Sequence, residues 1–188
     1  MPSPRTNMSD KLRVLFDTTV FCGALVKPDG GNMRCLLLAN APFFDPVISQ
    51  GVLAEFIHSA TVRGLGHSRN RRLYHYEEVR EFLEALAPLW DHAVPVGLRA
   101  VLPELQRWPR LPVDHALQNI AGHWPSTVEG RRLLDKAVAE IDPKDAHVML
   151  VAQEHAADIL VTSNVEDFAI LTPACRVEPP SVFLRRWI

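Results

Sequence analysis

The chain has 188 residues, 47% hydrophobic and 22% charged, the balance of one soluble globular domain with a sizeable core. Twenty Lys and Arg against 22 Asp and Glu leave a net charge of −2, so the overall balance carries no long-range attraction to phosphate, although a local basic patch stays compatible with it. Three widely spaced cysteines, Cys22, Cys35 and Cys175, exclude a disulfide framework and a CxxC zinc pattern and fit a reducing cytoplasm.

Residues 1–10 are polar, carry two prolines and lack the apolar core of a secretory signal; they read as a disordered leader. Lys11 to Phe16 is a short β-prone run closed by Asp17. After the Gly30-Gly31 loop, Asn32 is the expected cap of a helix through Leu38. Phe43 to Ser49 reads as a second extended piece, and Ser49 caps a helix from Gln50 to about Ala60. Arg69 to Trp90 is predicted as one long amphipathic helix. Trp90 to Trp124, with Pro95, Pro103, Pro109 and Pro112, reads as short pieces and turns. Ser126 to Glu129 matches the S/T-x-x-E capping box and opens a helix to about Glu140.

The last third alternates again. Asp142-Pro143 opens a helix to about Ala156, with Asp as cap and Pro in the first turn. Asp158 to Thr162 is an apolar strand, Ser163 to Phe168 a loop, Arg176 to Glu178 an edge strand, and Pro180 to Trp187 a terminal helix. Strand–helix alternation at both ends predicts an α/β fold with a mostly parallel sheet. No apolar run reaches the ~18 residues that would span a bilayer.

Four acids stand where this topology would gather them. Asp17 follows the first strand, Glu55 lies on the helix after the second, Asp145 is in the first turn of a helix, and Asp167 is in the loop after the DILVT strand. In parallel sheets the carboxyl ends of the strands are where sites form. Carboxylates converging there repel one another unless a cation sits among them. An oxygen-rich set with few histidines favours Mg²⁺ or Mn²⁺ over zinc. Each acid also has a plain structural reading: strand-end turn or helix cap for Asp17, solvated helix acid for Glu55, dipole-favoured acid for Asp145, Asx turn for Asp167. His147, two residues after Asp145, reads as a packing or hydrogen-bonded histidine rather than a ligand. Arg69, Arg71 and Arg72, beside Tyr74 and Tyr76, read either as a nucleic-acid contact or as a solvated helix start.

Three segments together resemble the PIN domain, a nuclease fold shared by VapC-type toxins and RNA-processing enzymes. They are VLFDTTVF (Val14–Phe21), DPVISQGVLAEF (Asp45–Phe56) and DPKDAHVMLVAQEHAADILVTSNVEDF (Asp142–Phe168). The last is similar to the subgroup whose final motif reads T-x-N-x-x-D-F. The resemblance covers about half the chain, residues 11–60 and 140–188. It implies a three-layer α/β/α fold over 11–188; the segment at about 61–139 has no counterpart in the resemblance and reads as a mainly helical insertion that forms a lid or a dimer surface. The resemblance further implies hydrolysis of single-stranded RNA in the cytoplasm, with Asp17, Glu55, Asp145 and Asp167 around Mg²⁺ or Mn²⁺. Thr19, Thr162, Ser163 and Asn164 would support them, and Arg69, Arg71 and Arg72 would contact RNA. An antitoxin partner and a homodimer are implied by the toxin branch; a non-catalytic PIN-like module binding RNA or protein is the alternative. Family members often carry Asn two residues after the first acid, where Thr19 stands here, and an acid where Asn164 stands. A haloacid-dehalogenase-like phosphatase starts similarly but needs a second Asp at the Thr19 position.

Overall fold

The computed structural model describes residues 11–66, 70–105, 145–169 and 174–188. The expected leader, the Ser126 capping box and the Asp142-Pro143 helix start lie outside them. Four strands, β1 (Leu12–Phe16), β2 (Phe44–Val47), β3 (Ile159–Val161) and β4 (Arg176–Glu178), form one all-parallel sheet in the order β2-β1-β3-β4. The α/β architecture expected from the sequence is the one observed.

Val14, Leu15 and Phe16 of β1 are all buried, although successive side chains of a strand point to opposite faces. Both faces of the sheet are therefore covered, as a parallel sheet requires. The cover comes from α1 (Thr18–Val26), α2 (Gly31–Leu38), α3 (Gln50–His58), α4 (Tyr76–Leu86), α5 (Leu98–Leu105), α6 (Ala146–Glu154) and α7 (Pro180–Trp187). An aromatic cluster fills the core beneath β1. Phe16 stacks obliquely on Trp90 at 5.6 Å and edge-on against Phe183 at 5.8 Å, and Trp90 meets Phe21 at 5.8 Å. The Trp90 indole N–H donates to the Leu36 carbonyl at 3.1 Å, which satisfies its one polar atom.

Three local expectations give way. Asn32 does not cap α2; Gly30 holds the cap position, and the Asn32 side chain fills the space beside Gly23 where α1 and α2 meet. The stretch from Arg69 is not one helix. Arg72 pairs with Leu65 in an antiparallel bridge, and α4 starts only at Tyr76, where the Glu78 carboxylate accepts the His75 backbone N–H at 2.8 Å. At the other end Pro88 tightens the chain into a 3₁₀ turn over Ala87–Trp90. Finally, part of the proline-rich stretch is helical: α5 carries Pro103 inside it while burying Leu98 and Val101.

Residues 70–105, part of the expected insertion, pack into the same core as the strands. Val79, Leu83, Leu86, Trp90, Leu98 and Val101 all belong to it. Val94 also pairs with Val47 and so shields the outer edge of β2.

Candidate active site

The chain leaves β1 toward β2 on one side and returns to β3 on the other. That reversal opens a crevice at the carboxyl ends of β1 and β3. Asp17 ends β1 and caps α1, its Oδ1 accepting the Thr18 N–H at 2.7 Å. Its Oδ2 accepts the hydroxyls of Thr19 and of Thr162, each at 2.8 Å. Thr162 follows β3, so one carboxylate oxygen ties the two strand ends together. The Thr19 oxygen accepts the Ser163 N–H at 3.1 Å, and the Thr162 oxygen accepts the Asn164 N–H at 3.0 Å. Thr19 and Thr162 thus brace both the acid and the loop after β3.

Glu55 reaches the crevice because β2 pairs with β1 and Ser49 starts α3 with its side chain on the Val52 N–H at 3.2 Å. Glu55 Oε2 accepts the Thr18 hydroxyl at 2.8 Å. His147 of α6 brings Nε2 to 3.4 Å from the same oxygen. The ring nitrogens lie next to the carboxylate without meeting hydrogen-bond geometry. Asp145 stands at the start of α6 and is half-buried.

Asp17, Glu55 and Asp145 line one cleft of about 270 Å³. Thr18, Thr19, Cys22 and Asn164 line it as well, with Ser59, Arg63 and Arg71 on the side of α3 and the loop that follows. Asp167 is not among its lining residues and is exposed; its neighbour Phe168 is fully buried and anchors the loop. Ser163 contributes its backbone to Thr19 but does not line the cleft. Arg71 lines it, whereas Arg72 pairs with Glu78 and stacks over Tyr74 at 4.5 Å. Arg69 lies outside the described residues.

Burial pushes the Asp17 carboxyl above its ordinary range; hydrogen bonds from Thr19 and Thr162 oppose this, and Glu55 adds to it. Burial also works against ionisation of Glu55, but His147, Thr18 and Arg63 outweigh it and hold that carboxyl below its ordinary range. The cleft therefore holds an ionised Glu55 beside an Asp17 that has no positive partner among the described residues. Carboxylate, hydroxyl and amide oxygens are the donors a hard divalent cation takes. Among the described residues, no three His, Cys, Asp or Glu side chains are already gathered as a ligand set.

Thr18 and Arg63 are the residues that sequence reasoning passed over, and His147, expected as a packing or hydrogen-bonded histidine, packs against Glu55. Arg63 lies two helical turns beyond Glu55, a spacing that signals a shared face. Thr18 is adjacent to the first acid, but nothing in its identity shows that its hydroxyl crosses to α3.

The chain belongs to the PIN domain family: the family's sequence pattern matches residues 13–166, a span that includes the central segment. PIN domains are generally nucleases, hydrolases of phosphodiester bonds, and typically use divalent metals. No curated protein and no solved structure matches the chain. Among the described residues, no helix is long and apolar enough to cross a membrane.

Proposed function

We propose that this protein is a divalent-metal-dependent endoribonuclease acting on single-stranded RNA. The observation that carries the reading is the meeting of Asp17, Glu55 and Asp145, from three separate elements, in one cleft at the carboxyl edge of a PIN-domain sheet. These three would hold Mg²⁺ or Mn²⁺. When bound, such an ion lowers the pKa of a water and offsets the charge of the phosphate. Asp17 is fixed by Thr18, Thr19 and Thr162, so its oxygens keep their direction without a large reorganisation. Glu55, held ionised, would orient the attacking water or its ion. Asn164, braced through Thr162, presents its amide on the β3 side.

The T-S-N-V-E-D-F motif (Thr162–Phe168) supports the VapC-type branch, and with it a toxin's role beside a cognate antitoxin and a homodimeric state. Growth arrest on expression, relieved by a neighbouring gene product, tests that role. The decisive assay is cleavage of single-stranded RNA with Mn²⁺ or Mg²⁺, by the wild type and by Asp17→Asn and Asp145→Asn. Cleavage that survives both substitutions overturns the nuclease reading. The departures in the last motif favour a second reading, a PIN module that binds RNA or protein without cutting: Asn164 stands where family members carry an acid, and Asp167 is exposed and off the cleft. Absence of cleavage together with absence of Mn²⁺ binding in calorimetry would favour it over the nuclease.

A further inference from the structure

The wall of the cleft formed after α3 is built to present two arginines. α3 continues through a wider π-turn, Ser59–Arg63, and stops at Gly64, whose φ of 75° suits glycine. The chain then doubles back. Leu65 and Arg72 exchange both backbone hydrogen bonds at 2.9 Å, and Gly66 takes a φ of 113°. Leu65 is buried, and the Tyr74 N–H donates to the Ala60 carbonyl at 3.0 Å, so both limbs of the loop are tied to the end of α3. A Cβ on Gly64 would lie 3.2 Å from the Arg72 carbonyl oxygen and 3.5 Å from Arg71 Cβ. The limbs approach that closely, and Arg63 and Arg71 stand at their feet, both lining the carboxylate cleft.

Among the described residues neither guanidinium forms an ion pair, whereas Arg72, Arg80, Arg99, Arg176 and Arg186 each pair with a carboxylate. The cleft thus carries acids along the strand ends and two guanidiniums across from them, of which Arg63 acts on Glu55 through its field without an ion pair. Guanidiniums that line a cleft without forming an ion pair keep their donors available to a ligand. A guanidinium fork matches the oxygens of a phosphate diester, and its charge is permanent.

We infer that Arg63 and Arg71 form a clamp for a backbone phosphate of single-stranded RNA, next to the one brought to the carboxylates. The clamp rests on the nuclease reading for the nature of its ligand. It grips phosphate alone, so it is indifferent to base sequence.

Anisotropy of a labelled single-stranded oligoribonucleotide, titrated with the full-length protein in EDTA at several salt concentrations, tests the clamp without cleavage. Arg63→Gln and Arg71→Gln should each lower the slope of log affinity against log salt by about 0.7, which is about fivefold in affinity at 0.1 M salt. The loss should be the same on unrelated sequences. Arg99→Gln removes the same charge outside the cleft lining and should leave the slope unchanged. Glutamine variants that bind like the wild type, or a wild type that binds no RNA at any salt, overturn the clamp. Cleavage by the wild type that Asp17→Asn abolishes shows separately that the nuclease reading stands.

Discussion

The Asp17 carboxylate accepts the hydroxyl of Thr162 at 2.8 Å across 145 residues of sequence, joining the ends of β1 and β3. Thr162 in turn accepts the Asn164 N–H. Thr162→Val keeps the shape and removes both bonds. A buried acceptor and a backbone donor lose their partner, which costs about 1–3 kcal/mol. The urea midpoint should fall accordingly. RNA cleavage should fall as well, because Asp17 then keeps only Thr19 on that oxygen. An unchanged midpoint would show that the bond is incidental.

Asp17 sets function against stability. Its carboxyl is raised in the fold chiefly by burial, so the ionised form is disfavoured there. A group raised in the folded state contributes stability below its unfolded pKa and loses it as pH rises through the folded value. Asp17→Asn removes that loss and still offers an oxygen to the Thr18 N–H. Its amide nitrogen can only donate, so the Thr19 and Thr162 hydroxyls lose their acceptor, which sets a cost against that gain. In EDTA its stability relative to the wild type should therefore be higher at pH 7 than at pH 4. Asp17→Ala also loses the helix cap, at about 1 kcal/mol. Both should cut RNA cleavage by roughly 1,000-fold, the scale of losing a metal ligand's several kcal/mol. An Asn variant less stable than Ala would contradict the argument.

Much of this was legible in the residues. β3, β4 and α7 announce themselves by apolar runs bounded by turns and prolines, and Asp17 and Ser49 by their positions as caps. α1 was not legible. Thr18 to Val26 is apolar all round, because the helix packs against α2 and α3 and so shows no helical period. The break between Arg72 and α4 was also hidden. The positive φ of the glycines at 64 and 66 turns the chain back, and the capping of His75 by Glu78 delays the helix to Tyr76. At the site, the acids could be read, but the hydroxyls bracing them belong to common residues whose partners are far away in sequence.

Asp167 separates the family motif from the geometry. The motif points to it as a fourth acid, yet it is exposed and off the cleft, while Phe168 beside it is buried. Asp167→Asn should change cleavage by less than about tenfold, against the roughly 1,000-fold expected for Asp145→Asn. Phe168→Ala should cost about 3–5 kcal/mol of stability as a buried aromatic truncation. Equal losses of activity at Asp167 and Asp145, with folding intact, would return Asp167 to the ligand set.

The buried thiols give the fold an alkaline limit. Burial pushes Cys35 up to about 12 and Cys175 up to about 11, from an ordinary value of 9.0. Between these values the unfolded chain releases protons that the folded chain retains. Stability therefore falls as pH rises above about 9. Urea midpoints at pH 8, 9 and 10 should decline, and Cys35→Ala should flatten the decline. Iodoacetamide at pH 8 should label Cys35 only as fast as the protein opens. Rapid labelling under native conditions would show an accessible thiolate instead.

Gly51 and His147 are coupled across α3 and α6. A Cβ at position 51 would lie 2.7 Å from His147 Nδ1, closer than atoms tolerate, so the imidazole occupies the room that glycine leaves. The same ring faces Glu55 through Nε2 at 3.4 Å. Inside a helix, Gly→Ala alone should stabilise by about 0.5–1 kcal/mol. In the wild type, Gly51→Ala should instead destabilise and push the ring off Glu55, lowering cleavage. In a His147→Ala background the steric conflict is gone, and Gly51→Ala should recover its ordinary stabilising sign. Urea unfolding of the four proteins in this cycle gives the coupling directly, expected at about 1 kcal/mol or more. His147→Gln, which keeps a donor near Glu55, should retain more activity than His147→Ala. Additive effects of the two substitutions would mean that the ring does not depend on the glycine to reach Glu55.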